Sequence, residues 1–165
     1  MATLVAVNPR VIQRVVPQNK VQVLIKNGSS WKAGQWLDVD TSGLLTACAS
    51  DADAGTGGIK YQALTDQDDP GDSTTYAKVE EIDAGTVFRI NELNGTVTTA
   101  AIGNQYGIDV TSNVLTLDVG DTTNYAVKVV DVGSNRSPVE FSDADVKGVA
   151  FVKVLPVCID AVAQA

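Results

Sequence analysis

The side chains of this chain that could carry acid–base or metal chemistry are almost all carboxylates: there are 20 acidic residues, two cysteines and no histidine. Without imidazole the chain lacks the usual near-neutral general base, a zinc imidazole ligand and any Ser-His-Asp or Cys-His nucleophile. Asp38 and Asp40 project from one face of a predicted strand, and Glu80, Glu81 and Asp83 crowd the approach to another. That is the raw material of a glycosidase-like carboxylate pair. Such a site also needs aromatic rings to hold sugars, and two Trp, three Phe and four Tyr are few. Ordinary solvated faces are expected at both places, and no enzyme activity or cofactor is expected.

Asp66, Asp68, Asp69 and Asp72 offer hard oxygen ligands, so calcium is a weak alternative there. The segment lacks the Asp-x-Asp-x-Asp-Gly spacing with a twelfth-position Glu, and Pro70 stiffens it. Gly55, Gly57 and Gly58 form no phosphate-binding or dinucleotide pattern before a helix, which leaves a flexible loop. Cys48 and Cys158 stand among small or apolar neighbours and read as buried free thiols, with a late disulfide as the alternative.

The elements that must position these groups read as short strands. Residues 20–26 are Val-rich and end in the turn Asn27-Gly28-Ser29-Ser30. Residues 35–40 alternate, with Leu37 and Val39 on one face and Trp36, Asp38 and Asp40 on the other, predicting a half-buried strand hairpinned to residues 44–48. Residues 51–58 form a polar loop, mobile or ordered by a neighbour, and residues 59–64 a strand. Residues 65–75 form a solvent-facing acidic loop. Residues 76–79 are expected to pair with residues 86–91 across a short acidic connection, followed by a hairpin turn at Asn94-Gly95 and an edge strand through Ile102.

The cleanest alternation lies in residues 106–110 and 115–119, and residues 125–132 follow as another strand. Residues 142–145 suit a single helical turn, and residues 148–155 a last strand whose continuation Pro156 weakens. Roughly ten strands with glycine-rich turns and no long helical period predict an all-β fold, closed as a barrel or packed as a sandwich. In a chain of 165 residues one dominant domain is expected.

Charge divides the chain unevenly. Residues 1–20 hold Arg10, Arg14 and Lys20, no acidic residue, and prolines at Pro9 and Pro17, while the net charge of the whole is −8. The acidic surface repels phosphate backbones and anionic lipid, so neither nucleic acid nor membrane is an expected partner. No run approaches the ~18 apolar residues of a membrane span, and the first residues lack a secretory pattern, so the protein is expected to stay where it is made. The prolines bar a continuous helix, and the Val-rich leader reads as an extended arm that needs another surface.

The leader ending at Lys20, the segment Asn27-Gly28-Ser29-Ser30-Trp31-Lys32-Ala33-Gly34-Gln35-Trp36-Leu37 and the stretch Ala84-Gly85-Thr86-Val87-Phe88-Arg89-Ile90 resemble capsid decoration (head-stabilising, or cement) proteins of tailed bacteriophages. The resemblance implies a small β-barrel or β-tulip-like body, residues 21–165, with an extended N-terminal capsid-binding arm, residues 1–20. It further implies a homotrimer on the outer surface of the virion capsid, synthesised in the host cytoplasm, with the major capsid protein as partner. In the arm, Leu4, Val5, Val7, Arg10, Val11, Ile12, Arg14, Val15 and Val16 would add strands to a capsid sheet edge. Trp31 and Trp36 are candidates for subunit or capsid contact. Two alternatives stand beside this: a tail or head–tail protein with an immunoglobulin-like domain, in which residues 125–131 form a late strand, and a carbohydrate-binding module in which Trp31, Trp36 and Tyr106 line one groove.

Overall fold

The computed structural model describes residues 12–14, 20–53, 55, 57–91, 93–135 and 148–161. They form a mostly β structure of two sheets. The strands are β1 (Ile12–Arg14), β2 (Lys20–Leu24), β3 (Trp36–Val39), β4 (Leu45–Ala47), β5 (Tyr61–Ala63), β6 (Tyr76–Glu81), β7 (Phe88–Ile90), β8 (Leu93–Asn94), β9 (Gln105–Thr111), β10 (Val114–Asp118), β11 (Val127–Val132) and β12 (Ala150–Val154). A single helical turn, α1 (Pro156–Ile159), follows the last strand. Among the described residues no helix is long and apolar enough to cross a membrane.

One sheet has the order β2-β6-β5-β3-β4 and curls into a half-barrel. Its two outer strands touch through a parallel bridge between Ile25 and Leu45, where the Lys26 amide donates to the Leu45 carbonyl at 2.9 Å. Its concave side gathers Ile25, Trp31, Leu37, Leu45, Ala63, Ala77 and Val79 into one core. The other sheet runs β1-β7-β12-β11-β9-β10-β8. It packs Phe88, Ile90, Ile108, Leu115, Leu117, Val127, Val129 and Val152 into a second core that also takes Trp36, Ile59 and Ile82 from the half-barrel side. The Trp36 and Phe88 rings meet edge to face with centroids 5.2 Å apart, joining the two sheets.

Most predicted strands are present, and the differences have physical reasons. Residues 76–79 and 86–91 do not form a hairpin: β6 pairs with β2 and β5 in the half-barrel, whereas β7 pairs with β12 and β1 in the other sheet. The acidic connection is therefore a crossover between sheets, anchored by buried Ile82. Asn94-Gly95 makes no hairpin either, because β8 pairs in parallel with β10. Where an edge strand was expected, Thr98 caps a 3-10 turn, Thr99–Ala101, accepting from the Ala100 amide. The clean alternation of β9 and β10 does become a hairpin, closed by Ser112 and Asn113 in left-handed backbone (φ 52° and 61°), as a type I′ turn requires.

Strand β3 is not half-buried, since Trp36, Leu37 and Asp38 are all fully buried. The outer face of the half-barrel at Trp36 packs against Phe88 of the second sheet, so both faces of β3 are buried there, whereas Tyr76 and Lys78 on β6 stay exposed. Pro156 ends β12 as expected but then opens α1 from its first turn, where a missing N–H goes unmissed. The helical turn predicted at residues 142–145 lies outside the described residues.

Candidate functional site

Of the predicted arm, the described part is β1, and Lys20 already belongs to β2. Strand β1 runs antiparallel to β7 with Ile12 opposite Ile90, Gln13 opposite Arg89 and Arg14 opposite Phe88. It is the terminal strand of its sheet, so among the described residues nothing pairs with its outer side. Three register positions are a short attachment, and backbone hydrogen bonds contribute only about 1 kcal/mol net each. Leu4, Val5, Val7, Arg10, Val11, Val15 and Val16 lie outside the described residues.

Of the carboxylates expected on solvated faces, Glu81 and Asp83 are exposed, whereas the other three are withdrawn from water. Asp38 and Glu80 are fully buried and Asp40 nearly so. Asp38 Oδ2 accepts from the Gly58 amide at 2.8 Å, while Oδ1 has no hydrogen-bond partner among the described residues. Burial pushes the Asp38 carboxyl up, against the amides of Gly58 and Val39 and the Lys60 ammonium. Lys60 itself donates to the carbonyls of Ile159 and Ala161, clamping the end of α1.

Gly58 is the pivot of this buried neighbourhood. A Cβ there would strike the carbonyl oxygen of Cys158, and that carbonyl accepts from the Ile59 amide at 3.0 Å. Cys48 donates to the Gly58 carbonyl from the other side at 3.2 Å. Both cysteines are buried free thiols. Burial pushes Cys48 well above the ordinary thiol range, and burial together with the Asp53 charge pushes Cys158 up to about 11. Such thiols carry almost no thiolate at neutral pH, so they are poor nucleophiles. Asp38 and Asp40, expected to share a face toward solvent, serve separate tasks. Asp40 takes the amides of Ser42 (2.8 Å) and Leu44 (2.9 Å) to close the β3–β4 turn.

The acidic loop at residues 65–75 faces solvent, but its carboxylates are acceptors for the chain's own backbone. Asp66 binds the Ala33 amide at 2.8 Å and the Lys32 ammonium at 3.2 Å. Asp69 takes the amides of Gly28 and Gly71, and Asp72 that of Thr74. Asp66, Asp68, Asp69 and Asp72 do not converge, and among the described residues no group of three or more acidic or thiol side chains is placed to hold a metal ion. A second acidic neighbourhood escaped the sequence reading: Asp51 is pushed up, first by burial and then by the charge of Asp121. Distance in sequence hid it.

Trp31 and Trp36, candidates for subunit or capsid contact, are 1% and 0% exposed and fill two different cores. In this fold they offer no surface, so they cannot share a groove with Tyr106. Tyr106 instead opens onto a surface groove with Tyr125, which stands 38% exposed. The sequence signal was the neutral run Gly103-Asn104-Gln105-Tyr106 in an acidic chain, but nothing in it pointed to Tyr125 as its neighbour. No family model matches this chain, and no curated protein does.

Proposed function

We propose that this is a structural virion protein that binds the outer surface of an icosahedral phage head and links neighbouring major capsid proteins. The observation that carries the reading is β1, a piece of the basic, Val-rich leader that is a strand at the rim of the body, its outer side unpaired among the described residues. An unpaired rim is a template for another chain's strand. In this mechanism β1 stays on β7 and accepts the edge of a capsid sheet on its other side, while Leu4, Val5, Val7, Val11, Val15 and Val16 extend the contact on either side of it. Arg10 and Arg14 supply charge opposite to that of the acidic body.

The curled sheet with its partner layer is, on this reading, the barrel or β-tulip-like body that holds the arm. One arm binds weakly because ordering each residue costs about 1–2 kcal/mol. Assembly as a homotrimer presents three arms at high effective concentration, which turns weak strands into firm attachment. Chemistry at a catalytic centre plays no part.

Two truncations test this. Removing residues 2–11 spares β1, and removing residues 2–18 takes it away. On co-sedimentation with expanded empty heads, the first is expected to bind more weakly and the second not at all, with both bodies folded by circular dichroism. Full occupancy by both truncations would overturn the proposal. Light scattering of the intact chain reads the trimer directly.

A further inference from the structure

The groove between the start of β9 and the approach to β11 has a volume of about 600 Å³, within the range of small-molecule sites. Its walls carry Asn104, Gln105, Tyr106, Val119, Thr122 and Tyr125, and among the described residues none that lines it is charged. Exposed Lys128 stands opposite Gln105 across the β9–β11 pairing, outside the lining. A lining without charge offers a ligand no ion pair, whereas two phenol rings, two carboxamides and a hydroxyl match a ligand with apolar faces and many hydroxyl groups.

The groove's backbone is held by the sheet. The Ala126 amide donates to the Tyr106 carbonyl at 2.9 Å, the Gly103 amide to the Val129 carbonyl at 2.8 Å, and the Val129 amide to the Asn104 carbonyl at 2.9 Å. Gly103 sits at φ +90°, a conformation that side-chain-bearing residues rarely adopt. The Asn104 carboxamide donates to the Ala100 carbonyl at 3.2 Å and to the Tyr106 hydroxyl at 3.4 Å, which orients the phenol. A rigid lining lowers the ordering cost of binding.

We infer that this groove binds a neutral saccharide of one or two hexose units. The C–H face of a pyranose would lie on the exposed ring of Tyr125, and sugar hydroxyls would exchange hydrogen bonds with Gln105 and Thr122, since a carboxamide offers both donor and acceptor. The inference does not depend on capsid binding.

A panel of neutral hexose and N-acetylhexosamine mono- and disaccharides, with anionic sugars alongside, is titrated into the full chain by two-dimensional NMR. Neutral sugars are expected to shift the resonances of residues 103–106 and 125. Tyr125→Ala is expected to weaken binding about tenfold, and Tyr125→Phe to keep it within about threefold. Gln105→Ala should also weaken it, and co-sedimentation of these variants with heads should match the parent chain. Tyr125 is exposed, so its variants should fold. The inference is overturned by no neutral sugar binding at millimolar concentration, by a preference for anionic sugars, or by affinity unchanged in both Tyr125→Ala and Gln105→Ala.

Discussion

The hollow of the half-barrel and the layer outside it are built from opposite faces of the same strands, and they solve burial differently. The hollow is filled by apolar side chains, Leu37 from β3, Ala63 from β5 and Val79 from β6. The reverse faces of those strands carry Trp36 with Asp38, Gln62 and Glu80, each at most 1% exposed. Burying apolar groups needs only shape, but burying polar ones requires a partner for each. Gln62 finds the Gly34 carbonyl at 3.2 Å and Asp38 the Gly58 amide. The outer layer thus gains little from water exclusion at these positions. Its specificity comes from placement, and Trp36 supplies its apolar weight.

Trp36→Ala should break the comparison most severely. It removes the ring that reaches Phe88 between the sheets and is expected to cost about 3–5 kcal/mol in urea unfolding. Leu37→Ala, one residue on and facing the hollow, should cost about 2–5 kcal/mol. In the Trp36→Ala chain Trp31 is the remaining tryptophan, so fluorescence follows the half-barrel alone while circular dichroism follows both sheets. The two curves are expected to coincide. A separate fluorescence transition would show that the hollow unfolds by itself.

Gly58→Ala attacks the polar layer without touching the hollow. The added methyl meets backbone, the Cys158 carbonyl, so α1 must shift, and about 1–3 kcal/mol should be lost. The parent chain's thiols should resist a thiol-specific reagent until the protein unfolds, as read by mass. In the variant Cys158 should be labelled under native conditions, and an equally inert Cys158 would place the strain elsewhere.

Strand existence was legible because a period of two survives wherever one face is apolar, as in β9, β10 and β11. Partnership was not. Residues 76–79 and 86–91 have everything a hairpin needs locally, and only the second sheet, assembled from distant strands, draws β7 away. The same blindness made Asp38 look solvated: alternation marks two faces as chemically different, but does not say that the polar one meets water. At the candidate attachment site the leader's composition stood out, whereas its seat beside β7 depends on a register no local pattern encodes. Tyr106 stood out too, but its groove partner Tyr125 arrives through the pairing of β9 with β11.

The smallest effect sets the buried polar layer apart from the solvent-facing turns by the sign of its pH response. Burial alone would raise Asp40, but the Leu44 and Ser42 amides and Lys26 outweigh it and hold the carboxyl below its ordinary value of 3.8. The Ala33 amide, with Lys32, does the same for Asp66. A lowered folded pKa gives stability that is present above the unfolded value and lost as pH falls through the folded one. Asp38 is raised by burial, so its charged form costs stability at neutral pH and the cost is relieved as the pH falls toward 3.8. Stability measured by urea midpoint should therefore rise gently from pH 7 toward about 4 and fall below it. Asp38→Asn should reduce the gentle rise and leave the share of Asp51, which burial and Asp121 also raise, and Asp40→Asn should make the acid fall shallower while costing about 1 kcal/mol at pH 7. If Asp38→Asn left the limb between pH 7 and 4 unchanged, the raised carboxyl in the polar layer would not be what sets it.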